Sequence, residues 1–250
     1  MKPAARAKIP LMMDKRTTPM PCLIALLLLL CSPLAFADDG IAERLAACAA
    51  CHGEHGEGVQ GAEYYPHLAG KPAGYLFEQL KGFRDGRRVN AQMVWLTQFA
   101  DDAWLREIAG YYAALPPRTH AADTGAAQLT PARAQRAEQL VREGDAALQV
   151  PACSACHGAN LAGLEPGIPA TIGLPADYIV AQFGHWRVGS RRALAPDCMH
   201  DVAMALTPED IRAVATWLSQ QSNPDGTRPA PAGSFTPPLQ CGALKAEDAR

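Results

Sequence analysis

The sequence predicts an all-α protein built from two tandem copies of one small helical domain. Three observations predict it. A pattern of about 90–100 residues occurs twice, too long a unit and too few copies for a solenoid. Within each copy, apolar residues recur at spacings of three and four, the period of a helix with one buried face. No stretch shows the apolar–polar alternation of a half-buried strand.

The duplication is legible residue by residue. The first copy reads Cys48-Ala-Ala-Cys51-His52-Gly53, then Pro66 to Gly70, then Tyr75 to Arg88, then Met93. The second reads Cys153-Ser-Ala-Cys156-His157-Gly158, then Pro169 to Gly173, then Tyr178 to Arg192, then Met199. The offset is 105 at the cysteines, 103 at the Pro/Gly and Tyr segments and 106 at the methionines, a drift that small loop insertions explain.

Each copy reads as helix, Cys-x-x-Cys-His motif, loop, helix, loop, helix. Ile41, Leu45 and Cys48 share a helical face at the first motif. Tyr75, Leu76, Gln79, Leu80 and Phe83 predict a second helix, and Leu105, Ile108 and Tyr112 a third, opened by Asp101-Asp102 at the positive helix end. In the second copy Leu140 marks the first helix, with Thr130 as N-cap and Pro131 as first helical residue. Tyr178, Ile179, Gln182 and Phe183 mark the next, and Ile211, Val214 and Leu218 the last, capped by Thr207-Pro208-Glu209.

This divides the chain into an export signal over 1–37, a first domain over 38–115, a linker over 116–130, a second domain over 131–222 and a Pro-rich tail over 223–250. The tail has little apolar periodicity and is expected to lie irregularly over the surface or to be disordered. The signal carries Lys2, Arg6, Lys8, Lys15 and Arg16, an apolar core Leu23–Leu30 too short to span a bilayer, and Ala35-Phe36-Ala37 as cleavage site before Asp38. A retained N-terminal anchor is the alternative, and Met12, Met13 or Met20 are alternative translation starts. Removing 1–37 shifts the formal net charge from −2 to −6. An acidic balance argues against nucleic acid as a partner and suits weak docking on basic patches.

The two Cys-x-x-Cys-His strings carry the chemistry. Two thiols on one helical turn are placed to add to the two vinyl groups of a single haem, and the adjacent histidine then projects to the iron. Two occurrences, each opening an equivalent repeat, predict two covalently bound haem c groups, held by Cys48, Cys51, Cys153 and Cys156 with His52 and His157 on the irons. A zinc site shared between the motifs, or a disulfide within each, is disfavoured by the separation and by the absence of a βαβ context.

A low-spin iron needs a sixth ligand. Met93 lies 41 residues after His52 and Met199 lies 42 after His157, each in a polar, irregular segment between helices. A methionine there raises the haem potential relative to a second histidine. Met204 and His200 compete with Met199, and core packing is the bland alternative for each methionine. Pro66 and Pro169 stand where a carbonyl can accept the Nδ1–H of the proximal histidine, or are ordinary loop prolines. Arg84, Arg187, Arg87-Arg88 and Arg191-Arg192 recur as partners for haem propionates or as solvated helix ends. Tyr75 and Tyr178 read as core aromatics with a polar tip. Cys198 and Cys241 are left over. Export permits a bridge between them, which would pin the tail beside the second distal loop, and two free thiols are the alternative.

With these residues in hand, the chain resembles the dihaem cytochromes c of the cytochrome c4 type over roughly residues 40–220. The match includes the Cys48–Gly53 string, the Pro66-x-Leu-Ala-Gly70 step, Tyr75 with Gln79-Leu80, Gly86-x-Arg88, Pro151 to Gly158, and Asp201-Val202-Ala203 after Met199. The resemblance implies two class I cytochrome folds about a pseudo-twofold axis, with the haems close. It implies electron transfer near respiratory oxidases or reductases in a Gram-negative periplasm. By the same match, His52 with Met93 and His157 with Met199 are the axial pairs. Family members often pair two methionines at the distal site, whereas Gln92-Met93 and Cys198-Met199 stand here. The Pro-rich tail and Cys241 also depart from the pattern.

The reading is therefore an exported, periplasmic electron-transfer protein and not an enzyme. Its partners are redox proteins such as a terminal oxidase, a cytochrome bc complex or a dehydrogenase, and peripheral association with a membrane is compatible with it. The rivals are a cytochrome subunit of a periplasmic dehydrogenase complex, a dihaem peroxidase and a haem-based sensor. The last two need an iron with an open sixth position.

Overall fold

Capped, amphipathic helices order the chain. The computed structural model describes residues 40–59, 65–119, 128–223, 226 and 228–244. The expected export signal, the first two residues of the first domain and the middle of the linker lie outside the described residues. No helix among the described residues is long and apolar enough to cross a membrane.

In the first half, α1 (Ile41–Arg44) turns at Leu45 into α2 (Ala46–His52), which carries the whole Cys-x-x-Cys-His string. Then come α3 (Ala73–Arg84), α4 (Ala91–Thr97) and α5 (Asp102–Ala114). In the second half, α6 (Pro131–Arg142) precedes a two-residue antiparallel ladder of β1 (Gly144–Asp145) and β2 (Val150–Pro151). α7 (Cys153–His157), α8 (Ala176–Arg187), α9 (Cys198–Ala205) and α10 (Pro208–Ser219) follow, and a 3₁₀ turn spans Gly242–Leu244. The described residues from 42 onward form one compact unit.

The predicted caps are present. Asp101 accepts from the Trp104 N–H, Thr130 from Arg133 and Thr207 from Asp210, each satisfying a first-turn donor. The apolar stripes close the cores. α3 packs on α5 around Phe77, Leu105 and Tyr112, all at most 2% exposed. α10 packs on α6 and α8 around Leu140, Val141 and Val214, again nearly inaccessible. Burying one such side chain contributes about 1.5–3 kcal/mol.

Two expectations are corrected. Met93 and Met199 do not lie in irregular segments. Met93 is in the first turn of α4 and Met199 in the first turn of α9. Asn90 and Asp197 supply caps that accept the N–H of Met93 and of His200, and these start helices too short to show a sequence period. The described tail also does more than cover surface. Ala230 bridges to Leu164, and Pro237, Leu239, Cys241 and Leu244 form part of the wall of the second cleft.

The halves meet around an approximate twofold. Arg88 and Arg191 face each other in an antiparallel bridge, flanked by Val89 N–H to Ser190 O at 2.8 Å and Arg192 N–H to Arg87 O at 2.7 Å. The N-terminus of α3 sits against the Pro166 carbonyl, which accepts from the Tyr75 N–H at 3.0 Å.

Candidate haem sites

His52 and His157 are held alike in the two halves. His52 Nδ1 lies 2.8 Å from the Pro66 carbonyl and His157 Nδ1 lies 2.7 Å from the Pro169 carbonyl. A carbonyl only accepts, so each Nδ1 carries the proton and each Nε2 keeps its lone pair for a metal. Both rings are buried, and burial is the main force holding each imidazole below its ordinary pKa.

The carbonyls are positioned by a shared loop. Gly58 and Gly163 return their N–H to the carbonyls of His52 and His157, at 2.7 and 2.8 Å. Both adopt φ values reserved for glycine, +79° and +98°. A Cβ on Gly163 would fall 2.4 Å from the Ile168 carbonyl, so the tight return to Pro169 requires glycine on two counts.

The second half contains a cleft of about 220 Å³. Cys153, Cys156, His157 and Met199 all line it, with Ile179 and Phe183 among its apolar walls. Neither cysteine is in a disulfide, and nor are Cys48 and Cys51. Burial pushes the Cys153 thiol up to about 11 and raises Cys156 and Cys48 as well, marking poorly solvated surroundings for these sulfurs. An apolar slot with two thiols, a prepared imidazole and a thioether fits a c-type haem.

The competitors of Met199 are placed elsewhere. Met204 is 52% exposed, and the Nδ1 of His200 lies 3.2 Å from the Trp186 carbonyl. Met93, half-buried, holds the corresponding place on α4. Arg84 and Arg187 clamp neighbouring segments of the chain. Arg84 donates to the Ala100 carbonyl and the Asp102 carboxylate, and Arg187 to the carbonyls of Ala203 and Leu206. Each therefore ties the end of the α4 or α9 segment to the preceding long helix.

The leftover cysteines are joined. Cys198 and Cys241 form a disulfide with Cα atoms 5.6 Å apart. The Gly242 N–H donates to the Pro196 carbonyl at 2.9 Å, so the tail is tied down immediately before Met199.

The family model described as Cytochrome c matches residues 41–132. Cytochrome c4 of Pseudomonas aeruginosa is 32% identical over 184 residues, covering 73% of this chain and 88% of that one. This chain belongs to the cytochrome c4 family. A protein named thiosulfate dehydrogenase electron acceptor, from Thiomonas intermedia, is 40% identical over 159 residues, 63% of this chain and 70% of that one. The crystal structure of reduced recombinant cytochrome c4 from Pseudomonas stutzeri superposes with a TM-score of 0.60 at 30% identity, covering 72% of this chain and 95% of that one. As a cytochrome c4-type protein the chain is all-α with two tandem class I cytochrome c domains, binds two covalent haem c groups and works in electron transport.

The structure also brings forward residues that the sequence reading passed over. Lys71 of the first domain lines the second cleft beside Tyr75, Gln79 and Arg191. Its departure from the repeat was a readable signal, since Leu174 follows Gly173 where Lys71 follows Gly70.

Proposed function

We propose that this cytochrome c4-type protein is a periplasmic electron carrier whose two irons are each closed by one histidine and one methionine, His52 with Met93 and His157 with Met199. The observation that carries the reading is the second cleft, where a carbonyl-pinned imidazole and the Met199 thioether line the same slot as the two thiols. A haem held there supplies a one-electron centre. The chain's own residues do the rest. Pro66 and Pro169 fix the imidazoles, Cys48, Cys51, Cys153 and Cys156 anchor the groups covalently, and the methionines leave no position for substrate. The basic, apolar and small-residue succession over 1–37 supports export.

A spectrum of the purified mature protein tests this. Two haems per chain, a reduced α band of c type and a weak sulfur-to-iron band in the oxidised form are expected. Ready binding of carbon monoxide by either centre in the native reduced protein would overturn the double His/Met assignment.

A more specific reading follows from the relative named thiosulfate dehydrogenase electron acceptor. The partner that reduces this protein is then a dehydrogenase of the thiosulfate-oxidising kind, carried on a separate chain. Rapid reduction of both centres on mixing with such an enzyme and thiosulfate is expected. Reduction no faster than by thiosulfate alone would exclude that partner while leaving the carrier reading standing.

A further inference from the structure

Lys71 belongs to the first domain, yet it lines the cleft of the second together with Cys153 and His157. It is 7% exposed. Its neighbours are also cationic. Arg191 is 6% exposed, and it donates to Gln79, Gln182 and the Tyr75 hydroxyl, while Arg88 donates to Gln79 and Gln182. Among the described residues no carboxylate pairs with any of these three cations. Burial depresses the Lys71 ammonium to about 8, and the two guanidiniums push the same way, with only the Tyr75 oxygen opposing.

Buried charge is ordinarily paired, because desolvation alone is unfavourable. The amides of Gln79 and Gln182 occupy both arginines, but among the described residues no comparable hydrogen bond engages Lys71. The repeat makes its position one-sided, because the counterpart Leu174 is apolar and gives the first domain no equivalent cation.

We infer that Lys71 is a cross-domain anion ligand, its ammonium holding a carboxylate of the haem bound in the second cleft and raising the reduction potential of that centre alone. The inference rests on the His157/Met199 reading of that centre. A fixed positive charge in a poorly solvated site favours the state with one more electron, and the effect fades with distance and solvent screening. The two centres, built from near-identical ligand sets, are then set apart by one residue lent across the domain boundary.

Spectroelectrochemical titration of the whole dihaem protein tests it, with haem content and melting temperature as folding checks. Lys71→Met lowers one of the two potentials by at least a tenfold change in the one-electron equilibrium constant, ~59 mV. Lys71→Arg, which keeps the charge, shifts it by less than a third of that. Met199→His lowers the same couple, because a second histidine gives a lower potential than methionine. Exchanging chloride for phosphate leaves the wild-type couple unmoved. The inference is overturned if neither couple moves, if both move together, or if the moved couple is not the one that Met199→His lowers. A couple that tracks anion concentration also overturns it, since a free anion would then occupy the site. The sulfur-to-iron band of the wild type is scored separately, so a failed ligation reading and a failed role for Lys71 look different.

Discussion

Arg88 and Arg191 stand opposite each other across the domain boundary, and each guanidinium donates to both Gln79 and Gln182. Two arginines side by side repel, so amide oxygens shared between them hold the pair together. Arg191→Met is expected to cost each of these half-buried amide oxygens one of its two guanidinium donors and to destabilise by about 1–3 kcal/mol. Arg192→Met, altering an exposed side chain, is expected to change stability by less than about 0.5 kcal/mol. Denaturant midpoints check this, and equal effects from the two variants would contradict it.

Gly163→Ala combines a strained φ of +98° with a Cβ 2.4 Å from a backbone carbonyl, in the loop that delivers the Pro169 carbonyl to His157. A cost of about 2–4 kcal/mol is expected, with reduced haem incorporation in the second domain. Gly189→Ala has a φ of +75° but open space around the added carbon, so it pays for backbone strain alone, about 1–2 kcal/mol. Thermal melts and haem stoichiometry of the two variants separate clash from strain.

The Cys198–Cys241 bridge closes a stretch of 43 residues. Its loss in Cys241→Ser is expected to destabilise by roughly 2–4 kcal/mol and to expose the tail to protease. Melting curves with and without reductant, paired with limited proteolysis, provide the measurement. Superimposable curves would show that the bridge does not constrain the fold.

Arg136 joins Asp145 and Asp210, at 2.8 and 2.9 Å, tying α6 to the β1 turn and to the start of α10. Hydrogen bonds from this guanidinium hold both carboxyls below their ordinary range. Their contribution is therefore present above the unfolded carboxylate pKa of about 3.9 and is lost as pH falls through the lower folded values. Arg136→Met is expected to remove part of the loss of stability between neutral pH and about pH 3. Urea midpoints at the two pH values check it, and an unchanged difference would show that other carboxylates carry the acid transition.

Much of the site was legible because covalent haem attachment demands a fixed string of residues. Cys48, Cys51 and His52, and their partners 105 residues on, announce themselves without a fold. The long helices were legible too, since Leu105, Ile108 and Tyr112 repeat at the helical period and all three are buried. The short helices α4 and α9 were not, because seven or eight residues give too few turns for a period to emerge. The roles of Arg84 and Arg187 escaped for another reason. Among their partners, the carbonyls of Ala100, Ala203 and Leu206 are backbone groups that leave no mark in a sequence.

By itself the sequence determined the number of haems and the duplicated helical plan, both properties of local strings and local periods. Only the tertiary structure decided that Lys71 lines the neighbouring domain's cleft, that Cys198 meets Cys241, and that the tail walls the same cleft. Those facts depend on how surfaces far apart along the chain come together. Packing of that kind is set by the sum of many weak contacts and is written in no single segment.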